Sequence, residues 1–229
     1  TGVAMSGWRL PSENGAAVVL VHGSFADRRQ LVPEARLLAS AGFGVLLFDL
    51  PGNGESGGTP RHGAEHDFIR LALDALVAGT DVRPDRIGAY GFSSGAAALA
   101  EVAAQDERVR AVVLAGCYET TEQHLRHDFR QWGALSGTAA VWAARWAGTV
   151  LLYPIRDIPA MAPRPIFFLS GDRDDVVPPE SVEALHAAAS EPKELWVVPG
   201  AAHGNYLEVA GDEYAKRLVG FFERTLTPR

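Results

Sequence analysis

Gly91-Phe92-Ser93-Ser94-Gly95 decides the reading of this chain, because it joins an apolar, strand-like run to an alanine-rich, helix-like one. The run before it, Arg86-Ile87-Gly88-Ala89-Tyr90, has the short apolar character of a buried parallel strand, and Ser94 to Gln105 is built from good helix formers. A sharp strand-to-helix turn therefore falls on Ser93. Such a turn needs small neighbours, since strand and helix approach too closely there for Cβ atoms, and glycines stand on both sides. The turn lifts the Ser93 hydroxyl clear of the sheet and sets the Ser94 amide at a helix start, where unpaired N–H groups can face a negative oxygen.

Working outward, apolar runs at Ala17–Val21, Val45–Phe48, Ile87–Tyr90, Ala111–Leu114, Ile166–Leu169 and Leu195–Val198 are mostly separated by helical patterns. The patterns cover Leu31–Ala39, Glu65–Ala78, Ser94–Gln105, Ser181–Ala189 and Tyr214–Arg224, and Met5–Leu10 is expected as an additional edge strand. This alternation predicts one α/β domain over residues 1–229, a doubly wound, mostly parallel sheet with helices on both faces. Catalytic groups are then expected at the carboxyl ends of the strands.

One interval breaks the rhythm: about fifty residues separate Leu114 from Ile166, and an insertion of that size in a compact domain is usually functional. Leu135, Ala139, Trp142, Trp146, Val150 and Tyr153 recur in it at helical spacing, which predicts a buried aromatic face. We expect a helical lid at about 117–162, with Trp142 and Trp146 touching substrate.

Three more segments stand at predicted strand ends. His22-Gly23-Ser24 follows Val18–Val21, and the Ser24 amide can join that of Ser94 as an oxyanion hole, with the Ser24 hydroxyl a candidate third donor. Losing one such donor costs on the order of 3 kcal/mol of transition-state stabilisation. His22 itself is expected to be structural. Gly171 to Pro178 offers Asp172, Asp174 and Asp175, of which only one can orient a histidine, and His203 lies among small residues after the last strand.

Together the His22-Gly23 pair, Asp49-Leu50-Pro51-Gly52-Asn53-Gly54-Glu55-Ser56, the Ser93 pentapeptide, the Gly171–Pro178 segment and His203 resemble the α/β-hydrolase fold superfamily, in its order and from about residue 4 to the C-terminus. The chain looks similar to bacterial single-domain serine hydrolases of the dienelactone-hydrolase-like and serine-aminopeptidase-like groups. The resemblance places the acid on Asp174, with Asp172 and Asp175 as alternatives, and implies a catalytic triad of Ser93, Asp174 and His203. Asn53 stands where the family usually has histidine, in a loop that mainly shapes the pocket. The implied activity is hydrolysis of apolar, short to medium carboxylic esters through an acyl-enzyme, without a cofactor. An amidase, peptidase or thioesterase with the same triad is the near alternative, and a noncatalytic ligand-binding member of the fold is the alternative of another class.

A net charge of −7 without a basic counter-patch gives no support to a nucleic-acid partner. The expected partner is a small ester, and the oligomeric state is left open. No membrane span is expected: the longest apolar stretch, Gly133 to Ile155, carries Arg145 near its centre and two internal glycines. Cys117 is the single cysteine, in an apolar setting that suits packing, and a cytoplasmic location is expected. The chain opens on Thr1-Gly2, which reads as a trimmed or processed start, with an upstream signal or anchor left open. His124 with His127, and His62 with His66, have helical spacing without two further fixed ligands, so no metal is expected. Nineteen arginines against two lysines fit GC-rich coding.

Overall fold

The computed structural model describes residues 2–59, 64–133 and 135–227. In chain order its elements are β1 (Gly7–Leu10), β2 (Ala17–Val21), α1 (Val32–Ser40), β3 (Gly44–Phe48), α2 (Ala64–Val77), β4 (Ile87–Phe92), α3 (Ser94–Gln105), β5 (Val109–Ala115), α4 (Thr121–Asp128), α5 (Ser136–Trp146), α6 (Pro154–Asp157), β6 (Ile166–Gly171), α7 (Pro179–Ala188), β7 (Lys193–Val198), α8 (Tyr206–Ala210) and α9 (Asp212–Leu226). The strands form one sheet in the order β1-β3-β2-β4-β5-β6-β7. Only the edge strand β1 runs antiparallel to its neighbour; every other pair is parallel.

The uninterrupted apolar strands have the character expected of a sheet covered on both faces. Alternate residues serve the two layers: Val19, Val21 and Ala89 join α2, α3 and α7 in one core, while Val18, Leu20 and Tyr90 join α1 and α9 in the other. The alanines of α3 are explained by position. Residues 95–100 of that helix are all buried, between the sheet, α2 and the 154–161 segment, and all but Leu99 are glycine or alanine, which lets the helix lie close to three neighbours.

A polar thread crosses the second core. The Tyr214 hydroxyl donates to Glu34 at 3.0 Å and lies 3.1 Å from the Tyr90 hydroxyl, linking α9 to α1 and β4. Burial pushes the Glu34 carboxyl above its ordinary value of 4.5, because the charged form loses its water.

In the long interval after β5 only part of the expected lid stands apart. Leu152, Ile158 and Met161 are buried in the first core, whereas α4 and α5 pack on one another. The predicted burial of the aromatic face is corrected. Helix α5 buries Gly137 and Val141, and it turns Leu135, Trp142 and Trp146 outward at 80, 67 and 92% exposure. The small residues fit the close contact with α4, which leaves the bulky stripe on the opposite side. Among the described residues no helix is long and apolar enough to cross a membrane.

Two outcomes are expected. A methyl group at Gly95 would fall on the carbonyl oxygen of His22, and one at Gly91 would stand 2.6 Å from Ala96 Cα. Since backbone cannot yield as a side-chain tip can, Gly95→Ala should cost about 3 kcal/mol or more in urea unfolding; an unchanged midpoint would contradict the packing. For Glu34, a raised folded value means that its favourable contribution is complete below 4.5 and is lost as pH rises through the folded value. The stability of Glu34→Gln relative to the parent should therefore improve as pH rises from 4.5, measured by thermal unfolding in matched buffers, and a flat difference would contradict it.

Candidate active site

Ser93 sits at the join of β4 and α3 with φ 53° and ψ −123°, a left-handed backbone that side chains other than glycine rarely adopt. Its amide donates to Ala115 of β5 at 2.9 Å, and its carbonyl accepts from the Ala96 and Ala97 amides at 3.0 and 3.2 Å. These bonds hold the turn on three sides and aim the hydroxyl away from the sheet.

The loops after β6 and β7 bring the other two groups to it. His203 Nε2 lies 3.0 Å from Ser93 Oγ, and His203 Nδ1 lies 2.7 Å from Asp174 Oδ2. The second Asp174 oxygen accepts from the Val176 and Val177 amides at 3.0 and 2.8 Å, and the whole carboxylate is buried. With both Asp174 oxygens accepting, the imidazole proton belongs on Nδ1, so the Nε2 lone pair faces the serine hydroxyl. Phe92 packs its ring 4.7 Å from that of His203. Gly116, with φ 56°, passes so close that an added Cβ would stand 2.9 Å from His203 Cε1.

The three neighbouring aspartates are separated by geometry. Asp172 accepts from the Gly200 amide at 2.6 Å, tying the β6 loop to the β7 loop that carries His203. Asp175 offers its main-chain carbonyl to His127 Nε2 at 2.7 Å. Of the three, Asp174 alone has its carboxylate on the His203 imidazole.

Ser24 stands in the loop that follows β2. Its hydroxyl donates to Ser94 Oγ at 2.8 Å, which links the two segments whose amides were expected to form the oxyanion hole. Among the described residues no protein acceptor takes the Ser24 or Ser94 amide. His22 is structural: the Leu50 amide donates to its Nε2 at 3.0 Å, and its Nδ1 donates to the Gly23 carbonyl at 2.8 Å. Burial lowers its pKa, which suits an imidazole that must stay neutral to keep the Leu50 bond.

Sequence reasoning missed the supports of this loop. Gln30 Oε1 accepts the Gly23 amide at 2.9 Å. Buried Asp49 accepts from the Arg28 amide and the Glu55 amide at 2.8 Å each and pairs with the Arg28 guanidinium, which also pairs with Glu55. The Asp49–Ser56 loop thus holds the β2 loop from behind, and Asn53 within it bonds locally to the Pro51 carbonyl. Asp49 was legible only as part of a motif, and Gln30 carried no signal.

A cleft of about 490 Å³ opens beside His203, lined by Gln30, Leu31, Glu34, Phe92 and Leu207 among others. It lies between the start of α1 and α8, and Trp142 and Trp146 are not among its residues. On the other side, His124 of α4 stacks on Tyr118 with ring centroids 4.7 Å apart, and its Nε2 is 3.4 Å from Asp128. Burial pushes the His124 pKa down, Asp128 opposes, and the nearby His203 adds to the lowering. His66 Nε2 faces Glu101 at 3.2 Å, and His62 lies outside the described residues. No group of three or more His, Cys, Asp or Glu suited to a metal occurs among the described residues. Cys117 is buried and its thiol pKa is pushed up by burial, which keeps it uncharged.

Known proteins resemble this chain in sequence and in fold. The chain is 27% identical over 240 residues to YfhR of Escherichia coli, covering all of this chain and 79% of that one. It is 31% identical over 207 residues to Rv2307c of Mycobacterium tuberculosis, covering 89 and 69%. Among solved structures, the Pyrococcus furiosus esterase Pf2001 superposes with a TM-score of 0.84 at 22% identity, over 98% of this chain and 87% of that one. The profile of the alpha/beta hydrolase family matches residues 18–217, and with that match and the seven-stranded sheet, the chain belongs to the alpha/beta hydrolase family.

Proposed function

We propose that the protein is a serine hydrolase that cleaves apolar, short to medium carboxylic esters through an acyl-enzyme. The observation that carries this reading is the unbroken hydrogen-bond chain from Ser93 through His203 to buried Asp174, at 3.0 and 2.7 Å. Esterase chemistry in a fold neighbour, Pf2001, supports the choice of an ester.

In the first half-reaction the Ser93 hydroxyl attacks the ester carbonyl while His203 Nε2 takes its proton. Asp174 holds the imidazole in the required tautomer and stabilises the cation that forms. The Ser24 and Ser94 amides receive the tetrahedral oxyanion. His203 then protonates the departing alcohol. In the second half-reaction it activates water, which releases the acid and restores the serine. The cleft beside His203 supplies the apolar wall for one arm of the substrate, and α4 with α5 acts as the lid over the other side.

The test is a panel of aryl esters of increasing acyl length, run beside aminoacyl anilides and acyl thioesters with parent and variants. Ester turnover should exceed anilide and thioester turnover, and Ser93→Ala should lower kcat by about 10⁴-fold or more. Gly116→Ala should displace His203 and lower kcat by about 100-fold. Undiminished hydrolysis by Ser93→Ala, or anilides turned over faster than every ester, would overturn the proposal.

A further inference from the structure

The outward face of α5 is the largest feature left without a role. Leu135, Ala139, Trp142 and Trp146 fall within one narrow stripe of a helix and are all exposed. Trp132, 66% exposed and packed on Phe129 with centroids 5.1 Å apart, and exposed Val150 continue the apolar character at either end. Monomeric proteins rarely leave such a run of large apolar side chains in water without a partner.

Charge selects the partner. From Phe129 to Arg156 the chain has no aspartate or glutamate and three arginines, Arg130, Arg145 and Arg156, in a protein of net charge −7. All three arginines are exposed. Glu122 of α4 pairs with Arg145 and cancels that charge, which leaves Arg130 and Arg156 as the cations of this face, and Asp128 lies beside His124. Exposed tryptophans flanked by arginines match the boundary of an anionic bilayer, where indole rings settle at the headgroup level and cations meet lipid phosphate. A two-fold contact between copies of this face would instead set the same arginines against themselves. With 11 residues, α5 is too short to span a bilayer, so it would lie in the plane of the interface.

We propose that α5 and the turn before it form a docking surface for an anionic lipid bilayer, with Trp142 and Trp146 entering the headgroup region. The docked surface belongs to the same α4–α5 unit whose His127 reaches Asp175, next to the triad acid, so the catalytic serine would open close to the membrane.

The test uses the full chain carrying Ser93→Ala, so that binding is read apart from turnover and does not depend on the proposed reaction. Sedimentation with vesicles of phosphatidylcholine alone is compared with vesicles containing phosphatidylglycerol, at low and high salt, alongside tryptophan emission. The chain should partition onto the phosphatidylglycerol vesicles, with blue-shifted emission and release at high salt. Adding Trp142→Ser and Trp146→Ser should weaken partition by about tenfold or more, with circular dichroism unchanged. Equal partition onto the two vesicle types, or none, overturns the proposal without recourse to any variant. So does full binding by the folded double variant, or a lipid-free dimer in ultracentrifugation that the two substitutions dissociate.

Discussion

A single residue held in a left-handed backbone, Ser93 between Gly91 and Gly95, is the constraint on which the rest depends. Such a conformation costs on the order of 1–3 kcal/mol outside glycine and persists only where its surroundings over-determine it. Here β5 takes the Ser93 amide, the first turn of α3 takes its carbonyl, and the helix presses so close that only glycine fits at two positions. The alanines of α3 follow from the same closeness. A helix that must start at the end of a central strand and bury its first turns there favours glycine and alanine, and larger apolar side chains, Leu99 and Val102, enter only further along it.

The parallel sheet converts this local constraint into a site. Strands β4, β6 and β7 all end at the same rim, so the segments after them meet although Ser93 and His203 are 110 residues apart. Asp174 and His203 are then fixed by further contacts: Val176 and Val177 amides on Asp174, Asp172 on the histidine loop, Phe92 against the imidazole. The β2 loop is fixed likewise, by Gln30 in front and by Asp49 with Arg28 behind. A serine hydroxyl becomes a useful nucleophile only when base and orienter are both in place, and this second layer of contacts holds them there.

Much of this was legible in the sequence, for physical reasons. Strands buried on both faces show as continuous apolar runs, and the elbow shows as glycines where periodicity switches from strand to helix. Other features left no such mark. Spacing alone could not separate Asp172, Asp174 and Asp175, because the choice is made by which carboxylate the Val176 and Val177 amides hold. Helix α8, five residues long, is too short for a periodic signal. The repeat of Leu135, Trp142 and Trp146 revealed one apolar face on α5 but not its direction. That was settled by Gly137, whose lack of a side chain lets α5 approach the Arg126 backbone of α4, and by buried Val141, on the side away from the exposed aromatic stripe. Gln30 acts through one contact with a main-chain amide, which composition and pattern do not encode.

The central claim is that Ser93 is an activated nucleophile because His203 and Asp174 make it one. Its most direct test is intact-mass analysis after exposure to a fluorophosphonate, followed by peptide mapping. The account predicts one adduct per chain, on Ser93, formed rapidly by the parent and far more slowly by His203→Ala. An unlabelled, folded parent, or an adduct on any other residue, would contradict it.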